Sequence, residues 1–567
     1  MADAKHRILS TLGRSWHAAR THKLDLFLFA LSLVAFMVGA RYVDYPDEYV
    51  NLLGGQTILR GALPYTDFWD HHLPGAWFGS AALLALSGGS FVLFRVLWAL
   101  FSWGLLVGVS FFIPKKHELR PYYLGFVTVY PMAALYFWLH LFLADGIAAL
   151  FFSASFWLII AQWTDVHKGR ATMRLALATV LTFAMVFTSA TYVYMAAGLY
   201  LMIAYLWPSR RALGLLTLGG YILAPYLVFA LYLLVTGTIA DFYFANIVYN
   251  SSYYISIPNY VRGPNFNPIK FALTLVSNFY DGYLPLLSKI KHLDLYLPIA
   301  TLSGLATFVL ALILVFSAPV MGIAYVVLLS FSAPRSNVSV YKETDYQMGM
   351  FIMLGIASCA IVLYLTRRIS AREVVGDVLR VVRGVVFVFA VSTALFLAFN
   401  TYSKAFQMYT QKLPSIHNRG FTAEFFDEIL KSGETYFAGP YEPQDLFYTK
   451  VTPFTGRHPS LLPQFREGET LRQSFIQDMQ DLRPSLIVYK HEASIFGTPA
   501  MEFGAFFIDW MKPDYRSIET IDGVEVIKTP SSFNMKSDLY LRIDQQKELL
   551  RRLEEKGYIK LQSLSRS

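Results

Sequence analysis

The sequence predicts a mainly α, polytopic membrane protein of about eleven transmembrane helices with a small C-terminal extracytoplasmic α/β domain. Three observations lead there. Of 567 residues, 55% are hydrophobic, 16% aromatic and only 15% charged, with a mean hydropathy of +0.42. Soluble proteins carry roughly 25% charged residues, so most of this chain suits lipid. Apolar runs near the length that crosses the hydrocarbon core, about 20 residues, recur along residues 1–400. From about residue 401 the apolar runs shorten to strand length.

The formal net charge of +9 does not indicate nucleic acid, because the basic residues stand in short clusters between apolar runs. A single cysteine, Cys359, excludes an intrachain disulfide and a cysteine-based metal cluster. The first twenty residues are polar and basic without a cleavage-site pattern, so no removable signal peptide is read there.

The first span is 24–41, preceded by Lys5, Arg7, Arg14, Arg20 and Lys23. The next full-length run is 91–113, followed by Lys115, Lys116 and Arg120. Between them 75–87 is apolar but short; it is read as a surface or re-entrant segment, because a crossing there would put Lys115 and Lys116 outside. The stretch 121–163 is too long for one helix and splits at His140 and Asp145-Gly146. Spans near 172–188, 190–207, 212–236, 295–316 and 318–333 follow, then one ending at Arg367-Arg368, and finally 380–400. The Lys/Arg clusters then fall on the cytoplasmic side, and an odd count puts the C-terminal portion outside. The outer loops are 42–90, 237–293 and 334–346 within a membrane domain of residues 1–400.

In the soluble domain, 401–567, Thr435-Tyr436-Phe437-Ala438 and Ser485-Leu486-Ile487-Val488-Tyr489 read as strands. Helices are expected at 422–431 and 469–482, Val524-Glu525-Val526-Ile527 ends the series, and 537–560 reads as a surface helix. There is no Gly-rich nucleotide loop, zinc-ligand spacing or internal repeat, and Thr455-Gly456-Arg457 is too short for a phosphate loop. This domain reads as a scaffold or lid for the membrane part.

The chemistry concentrates in the first outer loop, at Asp44-Tyr45-Pro46-Asp47-Glu48-Tyr49. Pro46 suits the first position of a helix, and Asp47 and Glu48 then sit where the helix dipole and free N–H groups favour carboxylates. Tyr49, Leu52, Leu53, Ile58 and Leu59 give an apolar side, and Gly61 a C-terminal stop. A short helix lying on the membrane with two charges at its head is expected; a helix start simply capped by acids is the structural alternative.

By topology Asp44, Asp47 and Glu48, then Asp70-His71-His72, Asp145, and Arg335 with Lys342 all converge on the outer face. The carboxylates can act as a general base or hold a divalent cation such as Mg or Mn, with Asp47 and Asp145 the metal candidates. Arg335 and Lys342 run against the charge bias, and lipid phosphate is an obvious partner. Arg95 stands about one turn inside a span, where a charge is costly and therefore paired or functional; an ion pair with an outer-loop carboxylate is its structural reading. His71 and His72 suit hydrogen bonding or phosphate contact better than metal ligation, and Asp70 reads as structural. The Tyr and Phe residues at 242–260 read as an interfacial belt before a sugar platform.

Asp47-Glu48, a helix ending Ile58-Leu59-Arg60-Gly61, and Pro64-Tyr65-Thr66-Asp67-Phe68-Trp69-Asp70-His71-His72-Leu73-Pro74-Gly75 together resemble the first outer loop of the GT-C glycosyltransferases. The likeness is to the protein mannosyltransferase and aminoarabinose transferase group, family 39-like. It implies a multi-span enzyme of the bacterial inner membrane that takes a sugar from a polyprenyl-phosphate donor on the extracytoplasmic face. The acceptor would be an envelope glycan, lipid or protein hydroxyl, and the anomeric centre would invert. The resemblance makes Asp47 the catalytic aspartate, Glu48 its acidic neighbour and Asp145 the acid of the second outer loop. It places Arg95 near the head of the second span, and Arg335, Tyr341 and Lys342 in the carrier-phosphate role. Many members have Lys-Pro-Pro where this chain has His71-His72-Leu73-Pro74, so His72 stands in for a phosphate-contacting lysine. Two other classes stay open. A lipid-linked saccharide flippase calls for internal symmetry or paired half-helices, which the sequence does not display. A noncatalytic scaffold would tolerate loss of Asp47 and Asp145.

Overall fold

The computed structural model describes residues 23–165, 170–254, 296–332, 346, 349–369, 376–412 and 420–562. Among the described residues, seven helices are long and apolar enough to cross a membrane: Lys23–Arg41, Phe91–Ser110, Ala144–Thr164, Ala171–Thr188, Ala212–Thr236, Gly349–Arg368 and Arg383–Tyr409. The other four expected spans also meet helices, at Arg120–Tyr136, Ala190–Leu206, Leu302–Ser317 and Pro319–Phe331. This is a multi-pass membrane protein with a small strand-containing C-terminal region.

Contacts divide the chain into two compact units. One comprises residues 1–43, 95–229 and 268–416; the other comprises 44–94, 230–267 and 417–567. The division at residue 400 follows composition, whereas contacts group the first outer loop with the C-terminal region.

In the first unit, Ala144–Thr164 and Gly349–Arg368 are buried along most of their length, while Ala212–Thr236 and Arg383–Tyr409 expose theirs, as lipid-facing helices do. Elsewhere in this unit Arg120, at the start of Arg120–Tyr136, pairs with Asp25 of Lys23–Arg41 at 2.8 Å, and Arg174 of Ala171–Thr188 pairs with Asp165, just past Ala144–Thr164, at 2.7 Å. The apolar stretch 121–163 breaks where expected. Residues 137–143 fold over the head of Ala144–Thr164, and Gly146 makes room for them: a Cβ there would stand 2.7 Å from the carbonyl oxygens of Leu139 and Leu141.

In the second unit, a four-stranded sheet runs in the order Tyr436–Gly439, Leu486–Tyr489, Leu539–Arg542, Tyr515–Ser517. The first pair is parallel and the other two antiparallel. Both parallel strands are buried at every residue, which explains their unbroken apolar runs. The helix between them, Glu469–Leu482, buries Leu471, Phe475, Met479 and Leu482 at helical spacing. The segment 537–560 is not one surface helix. It is strand Leu539–Arg542, helix Gln546–Glu555 and strand Ile559–Leu561, the last paired with Val524–Val526 as a separate ribbon. Leu539 and Leu541 alternate into the core with period two just before Leu549, Leu550 and Leu553 take up the helical period.

The first-loop helix forms at Pro46–Leu59, but it does not lie on a surface. Every residue from Glu48 to Gly55 is buried, and Leu59, expected on the apolar side, is 51% exposed. Gly54 and Gly55 form a flat face that accepts helix Gly75–Ser87: a Cβ on Gly54 would be 2.7 Å from the Trp77 ring, and one on Gly55 2.7 Å from the Ala81 nitrogen. Helix Pro443–Tyr448 packs on it as well. With two helices against it, the helix has no broad side left for lipid.

Candidate active site

Within the second unit the acids are placed by the start of helix Pro46–Leu59. Tyr45 is the extended residue before it, Pro46 takes the first position, and Asp47 and Glu48 occupy the first turn. Glu48 is completely buried and Asp47 half-buried. Asp47 Oδ1 accepts a hydrogen bond from the Tyr441 hydroxyl at 2.7 Å. Asp44 Oδ2 accepts one from Tyr49 at 2.5 Å, and the Tyr49 and Tyr448 hydroxyls are 3.3 Å apart. Burial above all, then the neighbouring Tyr448 and Asp44, push the Tyr49 phenol far above its ordinary range, so it stays a neutral donor.

The Thr455–Arg457 segment, dismissed above as a phosphate loop, holds the first outer loop instead. The Arg457 carbonyl accepts the Trp69 amide at 2.9 Å, and its guanidinium bonds the Tyr65 carbonyl and Asp241. Arg60 reaches the Phe454 carbonyl at 2.8 Å.

Asp70, His71 and His72 form one cluster. Each Asp70 oxygen lies 3.0 Å from an imidazole Nδ1, Oδ1 from His71 and Oδ2 from His72. Burial works to raise the Asp70 pKa, but His72 and then His71 outweigh it and hold the carboxyl well below the usual range. The His71 ring meets His72 at 4.1 Å and Tyr254 at 4.5 Å, both tilted against it, and Asn250 donates to its carbonyl. One ligand atom from each residue could be chosen so that all three fall within 4.8 Å. The His72 Nδ1 shares a hydrogen bond with Asp70 Oδ2, the His71 backbone amide donates to Oδ1 at 2.7 Å with its ring Nδ1 alongside, and Nε2 is what each ring presents elsewhere. His72 is the more open, its side chain 39% exposed against 13% for His71. Part of the expected aromatic belt is also packed inward: Tyr249 is fully buried against Trp69 and His71, and Phe242 meets Tyr65.

The first unit carries the other candidates. Asp145 sits in the first turn of Ala144–Thr164, nearly buried, and its carboxylate accepts the Tyr192 hydroxyl. Arg95 is completely buried, and its Nη2 donates to the carbonyls of Gly39 at 2.9 Å and of Tyr42 and Val43 at 3.4 Å. It thereby caps the C-terminal end of helix Lys23–Arg41, where carbonyls lack helical partners. Beside it, burial first, then Arg95 and Lys404, push the His140 imidazole well below its ordinary value. The Lys404 ammonium stands 4.6 Å from the centre of the Tyr42 ring. Arg95 and His140 border a cavity of about 20 Å³ that also touches Phe36, Trp98, Tyr130 and Gly146, space on the scale of one water.

Asp47 belongs to one unit and Asp145 to the other. Arg335, Tyr341 and Lys342 lie outside the described residues, as does the long outer loop from residue 255 onward. Sequence reasoning missed Tyr192, Tyr441, Tyr448 and Lys404. In a chain with 36 tyrosines, no local signal separates the three that reach acidic first turns.

No protein-family model matches the chain, and no curated protein does. Among solved structures the chain is similar to ArnT from Cupriavidus metallidurans. The form bound to undecaprenyl phosphate aligns over 91% of this chain and 97% of its own at 13% identity with a TM-score of 0.47. The apo form aligns over 92% and 98% at 13% identity with a TM-score of 0.46.

Proposed function

We propose that this protein is an integral-membrane glycosyltransferase that moves a sugar from a polyprenyl-phosphate donor to an acceptor hydroxyl on the extracytoplasmic side of the bacterial inner membrane, with inversion. The observation that carries the reading is Asp47. It is a half-buried carboxylate in the first turn of a packed helix, inside a loop whose residues resemble the GT-C first outer loop.

In this reaction the acceptor hydroxyl gives its proton to Asp47 as its oxygen attacks the anomeric carbon. The bond from that carbon to the phosphate oxygen breaks, and the polyprenyl phosphate leaves with the electron pair. Phosphate is a weak base, so hydrogen-bond donors and cations suffice to stabilise it without a strong general acid. Within the second unit His72, oriented by Asp70, is the proposed donor to that phosphate; Arg335, Tyr341 and Lys342 are proposed for the same task. Asp145 is proposed as a second required carboxylate.

A divalent cation on Asp47 and Asp145 remains a separate proposal. Each carboxylate already accepts a tyrosine hydroxyl, and among the described residues the grouping of three ligand atoms falls at Asp70, His71 and His72. The steps above therefore run through the protein's own groups.

The test is transfer from radiolabelled polyprenyl-phosphate sugars in membranes carrying the wild type or Asp47→Asn, with and without chelator. Transfer that disappears in the variant supports the enzyme, and chelator sensitivity decides the metal. Undiminished transfer by Asp47→Asn would overturn the assignment of the base.

A further inference from the structure

The C-terminal domain reads from the sequence as a scaffold or lid, and the reaction above uses nothing in it. Yet the segment that leaves strand Tyr436–Gly439 brings two phenols to the first-loop acids. Tyr441 donates to Asp47 at 2.7 Å. Tyr448, seven positions on, meets Tyr49, which donates to Asp44.

That segment is pinned along its length. The Gly439 and Pro440 carbonyls accept the amides of Lys490 and Leu461 at 2.9 and 2.8 Å. Glu442 pairs with Lys490 at 2.8 Å, with both side chains about one-fifth exposed. Asp445 Oδ1 accepts the amides of Thr422 and Ala423 at 3.0 and 3.2 Å, capping helix Phe421–Ile429. The root of Tyr441 is thus fixed by a sheet edge, an ion pair and a capped helix. A side chain that only filled a surface would need no such anchoring.

A hydroxyl donated to a carboxylate stops the group from rotating. That matters for a base that must be aimed when its substrate arrives.

We infer that Tyr441 is a positioning residue for Asp47, and that the C-terminal domain is a working part of the catalytic centre because it supplies this hydroxyl. This rests on the glycosyltransferase reading for what Asp47 does, but not for how Asp47 is held. The other titratable groups on the two segments are Asp44, Tyr45, Glu48 and Tyr49 beside Asp47, and Glu442 with Lys490, Asp445 and Tyr448 around Tyr441; each is unchanged when Tyr441 alone is replaced.

The experiment uses the full chain in lipid nanodiscs, as wild type, Tyr441→Phe and Tyr515→Phe. A water-soluble carbodiimide at one fixed pH attacks the Asp47 carboxyl, and peptide mass spectrometry reads its attachment without any turnover. In Tyr441→Phe, labelling is expected to rise several-fold, because the hydroxyl that holds the carboxyl is gone. The kcat for transfer is expected to fall on the order of tenfold with the donor KM unchanged. Tyr515→Phe removes a hydroxyl elsewhere in the same domain, one that bonds the Pro484 carbonyl, and should leave both readings as in the wild type. If Tyr441→Phe does not fold, replacement of Tyr441 by difluorotyrosine keeps the shape, strengthens the donor and should lower the labelling.

Wild-type labelling in Tyr441→Phe, or a change shared equally by Tyr515→Phe, overturns the inference. If the wild type transfers no sugar while labelling responds as expected, the positioning stands and the glycosyltransferase reading falls. If the wild type transfers and Tyr441→Phe matches its kcat, the reverse holds.

Discussion

Among the helix heads with an acid in the first turn, those at Asp47 and Asp145 are built alike locally but supported differently. Asp47 and Asp145 each follow an extended residue with no side-chain cap of its own, Tyr45 and Leu143. Each carboxylate accepts a tyrosine hydroxyl. For Asp145 that tyrosine, Tyr192, is 47 positions away and belongs to the same helical unit. For Asp47 it is Tyr441, 394 positions away in the C-terminal α/β region. Asp145 heads an apolar helix buried nearly throughout, whereas Asp47 heads a helix clamped between Gly75–Ser87 and Pro443–Tyr448. A carboxylate at a membrane helix end can be satisfied by its immediate neighbours. One in a loop between spans requires the chain to come back to it.

The largest expected effect separates the two acids by role. Removing a general base costs typically 10²–10⁴-fold, so Asp47→Asn should lower the initial rate of sugar transfer by on the order of 10³. Asp145→Asn keeps the size of the side chain and its bond to Tyr192, and should cost on the order of tenfold to a hundredfold. Initial rates in membranes, normalised to folded protein, check this. The reverse order would move the base from the first-loop helix to the second acid.

Next comes the packing that supports each head. Gly55→Ala sets a methyl group against Ser80 Oγ and 2.7 Å from the Ala81 nitrogen, on a helix face that cannot retreat. Gly146→Ala sets one 2.7 Å from two carbonyl oxygens of the turn before Ala144–Thr164. Overpacking of this kind costs about 1–3 kcal/mol. Thermal unfolding followed by limited proteolysis should show Gly55→Ala opening cleavage sites in 44–94 and 417–562, and Gly146→Ala opening them in the helical unit. Cleavage in the other pattern would mean that the division between the units is drawn wrongly.

The same comparison shows what the sequence disclosed. Span positions were legible because length and apolarity are properties of one stretch at a time. So was the head of helix Pro46–Leu59, where Pro46, two acids and a stop at Gly61 (φ +86°) each act locally. Burial of that helix was not, because Gly54-Gly55 reads equally as a loose spot or a packing face until Trp77 and Ser80 arrive. Arg95 was legible as a charge in need of partners, and the backbone carbonyls of Gly39, Tyr42 and Val43 are among those it meets. The Leu539–Arg542 strand was hidden by the helical pattern directly after it. Tyr192 and Tyr441 were beyond reach, since which phenol meets which acid is decided by the fold.

The smallest effect concerns the domain that supports Asp47, and it is a matter of sign. His458 is buried among Trp69, Phe465 and Phe475, with Nε2 3.0 Å from Ser474 Oγ. Burial first, then Arg457, lowers its pKa to about 3. The unfolded chain takes up this proton near 6.5, so the stability contributed by a neutral His458 is full above pH 6.5 and is lost progressively as the pH falls toward 3. Asp478 works against it. Burial, only partly offset by the Arg457 and His458 amides, raises its pKa to about 6. The folded form therefore takes up a proton before the unfolded one, and stability is gained as the pH falls from about 6 to the ordinary carboxylate range near 4. In the wild type the two slopes oppose one another across that window. In His458→Phe only the Asp478 slope remains of the pair, so its unfolding temperature should gain on that of the wild type as the pH is lowered from 6.5 to 4, whatever the offset at neutral pH. Parallel curves for the two proteins would show that His458 titrates in the folded domain as it does in the unfolded chain, and that its pocket is open to water.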